Sequence, residues 1–175
     1  MGSRRDLAFL VFSVLALVVL VGLGTWQVQR LQWKEDLIAR LTVQAQSEPV
    51  PVSEVEARAA AGGDVEFMRA TATGRFLHDS ELFVFTTVDG EMGWKLVTPL
   101  ETGDGAVLVD RGFIPYDLKA PETRPDSRPD GTVQVTGIVR PHDQAPALFV
   151  PDNDAVANIW HWWDLPAMAE TAGVE

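Results

Sequence analysis

Residues 7–23 read LAFLVFSVLALVVLVGL, and the run continues without a charge through Gly24, Thr25, Trp26 and Gln27. As a helix rising roughly 1.5 Å per residue, residues 7–26 span about 30 Å, the thickness of a bilayer's hydrocarbon core. Ser13 carries the only hydroxyl of the 7–23 run and can bond back to its own helix. Trp26 falls where an amphipathic ring settles at the water boundary. The stretch predicts a transmembrane anchor over residues 1–27. Two other readings compete. Arg4 and Arg5 with small residues at 22–24 fit a cleaved secretory signal, but a signal's apolar core runs about 7 to 15 residues and this one is longer. A core helix apolar on every face would need the amphipathic elements downstream to bury all of it.

Charge then sets orientation. Arg4 and Arg5 precede the run while Arg30, Lys34 and Arg40 follow it, a shallow asymmetry that favours a cytoplasmic N-terminus. The rest of the chain is then expected in the periplasm or an equivalent intermembrane space. A formal charge of -11 opposes binding to nucleic acid or to anionic lipid, both of which call for a basic face. The absence of cysteine excludes a disulfide framework, a thiolate metal site and a cysteine nucleophile. The three histidines, His78, His142 and His161, have no ligand spacing, so no protein-only metal site is expected.

Residues 26–46 change to a polar helical pattern that extends the membrane helix as a stalk, assigned to residues 28–48. Trp26, Gln27, Arg30 and Lys34 fall within little more than two turns, close enough to form one interfacial patch for a partner helix. Pro49 and Pro51 stop the helix, and Ser53 with Glu56 has the spacing of a capping box for a short helix ending at Gly62 and Gly63. Strands are expected over 66–76, 81–88, 94–100, 106–111 and 132–140, separated by turn formers and by a Pro-rich loop over 115–131. The stretch 82–88 is apolar on both faces. Asp164 as N-cap, Pro166 in the first turn and Gly173 as terminator mark a last helix. The fold class is therefore α+β, mainly β: a transmembrane helix, then one antiparallel barrel-like or sandwich domain over 49–175 with short flanking helices.

Enzymatic chemistry finds little support. No serine stands in a GxSxG elbow, and His78, Asp79 and Ser80, adjacent in a turn, suit local capping better than a triad. Arg111 ends a very apolar run just before Gly112, so it either pairs with a carboxylate at the sheet's rim or faces a partner. In residues 159–163, Ile-Trp-His-Trp-Trp, an imidazole joins large apolar rings, the two things a porphyrin site must supply. In a strand, His161 would share a face with Ile159 and Trp163, opposite Trp160 and Trp162. Those rings can equally fill a core. Arg111 and Trp160 are the candidate partner contacts of the β domain, and His161 is its candidate cofactor contact.

Several stretches together resemble one family. They are Gly24, Trp26, Gln27, Arg30 and Lys34; Gly74, Phe76, His78 and Glu81; Thr98-Pro99-Leu100; residues 107–115, VLVDRGFIP; residues 135–140, VTGIVR; and Asn158, Trp160, Asp164, Ala167, Met168 and Ala169. The chain is similar in these, in order and over nearly its whole length, to the surfeit locus protein 1 family of cytochrome c oxidase assembly factors. The resemblance implies an inner-membrane protein with a β-rich domain on the outer side. It would act without catalysis in maturation of oxidase subunit I, with the machinery of haem a synthesis and insertion as partner and haem a as a transferred ligand and no intrinsic cofactor. The competing function is a membrane-anchored carrier of haem or another small ligand that makes no contact with the oxidase. Family members continue to a further strand region and a second membrane helix, the latter holding a proposed haem-ligating histidine in bacterial members, so the β domain is expected to be C-terminally incomplete.

Overall fold

No proline and only Gly22 and Gly24 interrupt residues 4–46, and the helix they form runs unbroken across the change from apolar to polar sequence. The computed structural model describes residues 4–141 and 148–174, and the chain divides into two units, residues 1–47 and 48–175. His142 lies outside the described residues. Helix α1 (Arg4–Gln46) fills the first unit with 43 residues. Its stretch Phe9–Asp36 is long and apolar enough to cross a membrane, and none of its apolar window is buried, unlike a core helix.

The second unit opens with β1 (Val50–Pro51) and α2 (Val52–Ala60). The expected capping box does not form: Pro51 occupies the N-cap without a side-chain bond, and Ser53 already lies inside the helix. A proline φ of -57° presets the entry that a hydroxyl would otherwise stabilise.

All five expected strands are present: β2 (Arg69–Phe76), β3 (Leu82–Val88), β4 (Glu91–Glu101), β5 (Ala106–Pro115) and β6 (Val133–Ile138). Strand β4 begins earlier than expected because Asp89 and Gly90, both at positive φ, make a two-residue hairpin that lets Val88 pair with Glu91. The sheet runs β1-β2-β4-β3, with β5 beside β4 and β6 beside β2. It is mixed, since β1 runs parallel to β2 while every other strand pair is antiparallel. Among the described residues β5 pairs only with β4 and β6 only with β2, so the sheet is open and forms no barrel.

Both faces of the β3–β4 hairpin are covered, as its two-sided apolar sequence requires. Leu82, Val84 and Val97 pack against Trp160, Met168 and Ala172 on one side. On the other, Phe83, Trp94 and Leu96 meet Phe85, Ile114 and Ile159. Helix α3 (Leu165–Ala172) starts and stops as expected: the Asp164 carboxylate accepts from the Ala167 amide, and Gly173 ends the helix in the left-handed region at φ 71°.

Candidate functional site

The ladder between β4 and β5 slips between Lys95 and Val97: Lys95 faces Phe113, while Val97 faces Asp110. Two β5 residues, Arg111 and Gly112, therefore oppose Leu96 alone, which is a β-bulge. Gly112 sits at φ 104° and its amide donates to the Asp110 carboxylate at 2.9 Å. Gly112 thus supplies a positive φ inside β5, where the bulge requires it. A bulge redirects a side chain, and here Arg111 reaches Glu81 just before β3. Its Nη1 lies 3.7 Å from Glu81 Oε1, its Nη2 donates to the Ser127 carbonyl, and its guanidinium stacks 4.7 Å from the Phe76 ring.

Glu81 is the hub, with a relative exposure of 6%. Arg124 meets it in a fork, Nη1 donating to Oε1 at 3.4 Å and Nη2 to Oε2 at 2.5 Å. The remaining Arg124 donors reach the Leu118 and Lys119 carbonyls and the Ser127 hydroxyl, so this side chain ties together a Pro-rich loop that runs through three short 3-10 turns. His78 Nε2 lies 3.0 Å from the Pro129 carbonyl oxygen and its Nδ1 lies 3.7 Å from Glu81 Oε1. Asn158, held at φ 52°, donates through Nδ2 to the Glu81 carbonyl at 2.6 Å and accepts from Trp160 Nε1 at 3.0 Å. Burial lowers the Arg111 pKa, opposed by Glu81 and reinforced by Arg124 and Arg128.

An open cleft of about 510 Å³ borders this cluster, lined by His78, Asp79, Glu81, Lys119, Arg128 and Asn158 over the Phe83 ring. Arg128 pairs with Asp79 at 2.9 Å. Lys119 donates to the Ala157 and Asn158 carbonyls and stands over the Phe83 and Trp94 rings at 5.0 and 4.7 Å. The arrangement can receive and orient a charged group. Among the described residues Ser80 and His78 share no hydrogen bond, and no group of three His, Asp or Glu could hold a metal ion.

The residues singled out from sequence separate into four places. Arg111 joins the Glu81 cluster. Trp160 is fully buried at 0% exposure and closes the core between Val84 and Met168. His161 is half-buried, with its ring 5.9 Å from Phe85. Ile159 lies with His161 on the Phe85 side as alternation requires, but Trp163 packs with Trp160, because regular pairing ends at Trp160. In α1, Arg30 lies 6.0 Å from the Trp26 ring and 5.8 Å from Trp33, with Gln27 and Lys34 exposed nearby. Sequence reasoning did not single out Arg124, Lys119 or Glu81 as site residues.

The profile of the SURF1 family matches residues 14–175. The chain belongs to the SURF1 family. It is 35% identical to Surfeit locus protein 1 of Takifugu rubripes over 94% of this chain and 74% of that protein. Against Surfeit locus protein 1 of Homo sapiens the identity is 36%, over 99% of this chain and 63% of the human protein. The SURF1-like protein of Monosiga brevicollis is 39% identical over 87% of this chain and 62% of its own length. The chain thus spans between 62% and 74% of the length of these curated relatives. Within the second unit, several of the residues by which the chain resembles the SURF1 family are brought together by the fold. His78 and Arg111 approach the Glu81 carboxylate, Asn158 holds the Glu81 backbone carbonyl and Phe76 stacks on Arg111, while Trp160, Asp164 and Met168 build the core and the α3 cap.

Proposed function

We propose that this SURF1-family chain is a membrane-anchored, non-catalytic assembly factor for cytochrome c oxidase that aids maturation of subunit I and insertion of haem a. The observation that carries the reading is the family match over residues 14–175, which includes most of the apolar run as well as the β unit. The helix supports residence in an inner (cell) membrane with the N-terminus cytoplasmic and the β unit on the periplasmic side. Engagement of both Glu81 oxygens by Arg124, with Arg111 beside them, commits this carboxylate to a buried ion pair and supports a docking role for the unit. The test is complementation: cells lacking the gene regain oxidase when the chain is restored, and subunit I co-purifies with it. Loss of oxidase activity with no subunit I contact would overturn the reading. A reporter fused after Glu175 is expected on the exported side.

Haem a is cargo in this reading, and its partners are the proteins that make and insert it. The half-buried His161 beside Phe85 and the wholly buried Trp160 leave the aromatic segment committed to packing. Spectral titration in detergent is expected to give weak haem a binding or none. A tight one-to-one low-spin complex abolished by His161→Ala would favour a carrier that works without oxidase contact.

A further inference from the structure

The chain is acidic as a whole, and five of its 14 Lys and Arg residues, Arg4, Arg5, Arg30, Lys34 and Arg40, fall before residue 48, leaving the β unit more acidic still. Against that background the wall of the 510 Å³ cleft carries two cations, Lys119 and Arg128, beside Asp79 and Glu81. Glu81 is answered by Arg124 and approached by Arg111, so it has no charge to spare for Lys119 or Arg128. Among the described residues no carboxylate lies within ion-pair distance of Lys119. Two of its N–H groups can serve the Ala157 and Asn158 carbonyls, leaving a third for the cleft. Arg128 spends one nitrogen on Asp79, a fully exposed carboxylate that water screens, and keeps the rest of its fork. His78 Nδ1 is buried without a hydrogen-bond partner.

We propose that this cleft binds a ligand bearing a carboxylate, received between Lys119 and Arg128. The volume lies within the roughly 300–1,000 Å³ range of small-molecule sites. Aromatic rings beneath the ammonium hold Lys119 in place, so little of its freedom is lost on binding. Asp79 and Glu81 line the same cleft and repel a doubly charged head group more than a singly charged one, which favours a carboxylate, with one charge per group, over phosphate, whose one head group carries up to two. The carboxylate can belong to a free small acid or to an acidic side chain of a protein. The inference is independent of the oxidase reading, because the purified chain alone is titrated.

The full chain in neutral detergent is titrated calorimetrically with glutarate, with an acetylated peptide of four glutamates and with inorganic phosphate. Saturable binding of at least one carboxylate probe, one per chain, is expected, with phosphate weaker. Lys119→Met and Arg128→Gln should each weaken it about tenfold. Arg128→Gln should do so without changing the unfolding temperature, since its partner is fully exposed. A peptide bound more tightly than glutarate identifies a protein segment as the source, and the reverse order a free acid. No saturation by either carboxylate up to about 10 mM, unchanged affinity in both variants, or phosphate binding tightest of the three would overturn the proposal.

Discussion

Replacing Glu81 by Gln preserves its shape and removes its charge, leaving Arg124 at 8% exposure without a counter-ion. Breaking a buried pair from one side costs about 3 kcal/mol, so Glu81→Gln should lower unfolding stability by that order in a denaturant titration. A change under about 1 kcal/mol would mean that the Leu118 and Lys119 carbonyls hold Arg124 without help. Two glycines separate by mechanism. A side chain at Gly74 would drive into the Glu101 carbonyl, whereas at Gly112 there is open space and only the positive φ resists. Gly74→Ala should therefore cost about 3 kcal/mol and Gly112→Ala about 1–2 kcal/mol, and equal losses would contradict the distinction. Burial holds the Lys119 pKa below its ordinary 10.5. The unfolded chain then keeps that proton to higher pH than the folded one, so the desolvation cost is relieved as pH rises from the depressed value toward 10.5. The melting difference between wild type and Lys119→Met should move in favour of wild type over that rise; a difference flat with pH would show that the ammonium is well solvated in the fold. At this scale Arg111 was legible because it interrupts an apolar run. Arg124 was not: it and Arg128 both stand in the tripeptide Arg-Pro-Asp, and nothing local distinguishes the buried one.

Elements with local signals were read closely. Helix α3 carries its own punctuation in Asp164, Pro166 and Gly173, and Asp164→Ala should cost about 1 kcal/mol by freeing the Ala167 amide, measurable as a lowered melting temperature. No loss would place the start of α3 under the control of Met168 packing alone. The strands were legible from alternation and turn residues. The bulge at Arg111 and Gly112 was not, because it is a mismatch in count between β4 and β5, a property of their pairing and of neither sequence alone. The Pro-rich loop shares its composition with solvated loops, and what holds it, Glu81, His78, Asp79 and Arg111, lies far away in sequence or in another element. The open sheet likewise depends on which strands become neighbours, and strand patterning leaves that choice unstated.

For the whole molecule, the long uncharged run was the strongest signal, since an apolar surface on every side of α1 has few uses in water. Its polar continuation presents Trp26, Arg30 and Trp33 along one face. If that face meets a partner, Arg30→Ala with Lys34→Ala should reduce oxidase assembly at unchanged protein level; unchanged assembly would limit the patch to anchoring at the membrane surface. The core carries a consequence in time. Leu82, Val84 and Val97 are capped by Trp160 and Met168, and the Asn158 bond to Glu81 spans 77 residues. At ribosomal speeds of about 5–20 residues per second, those 77 residues take roughly 4 to 15 s to synthesise. In the part of that interval after β4 ends at Glu101, the newly made β3–β4 hairpin shows one greasy side to its surroundings. Exposed apolar surface of this kind favours aggregation, so a holdase present during synthesis is expected to raise the yield of folded β unit, measured as soluble against pelleted product.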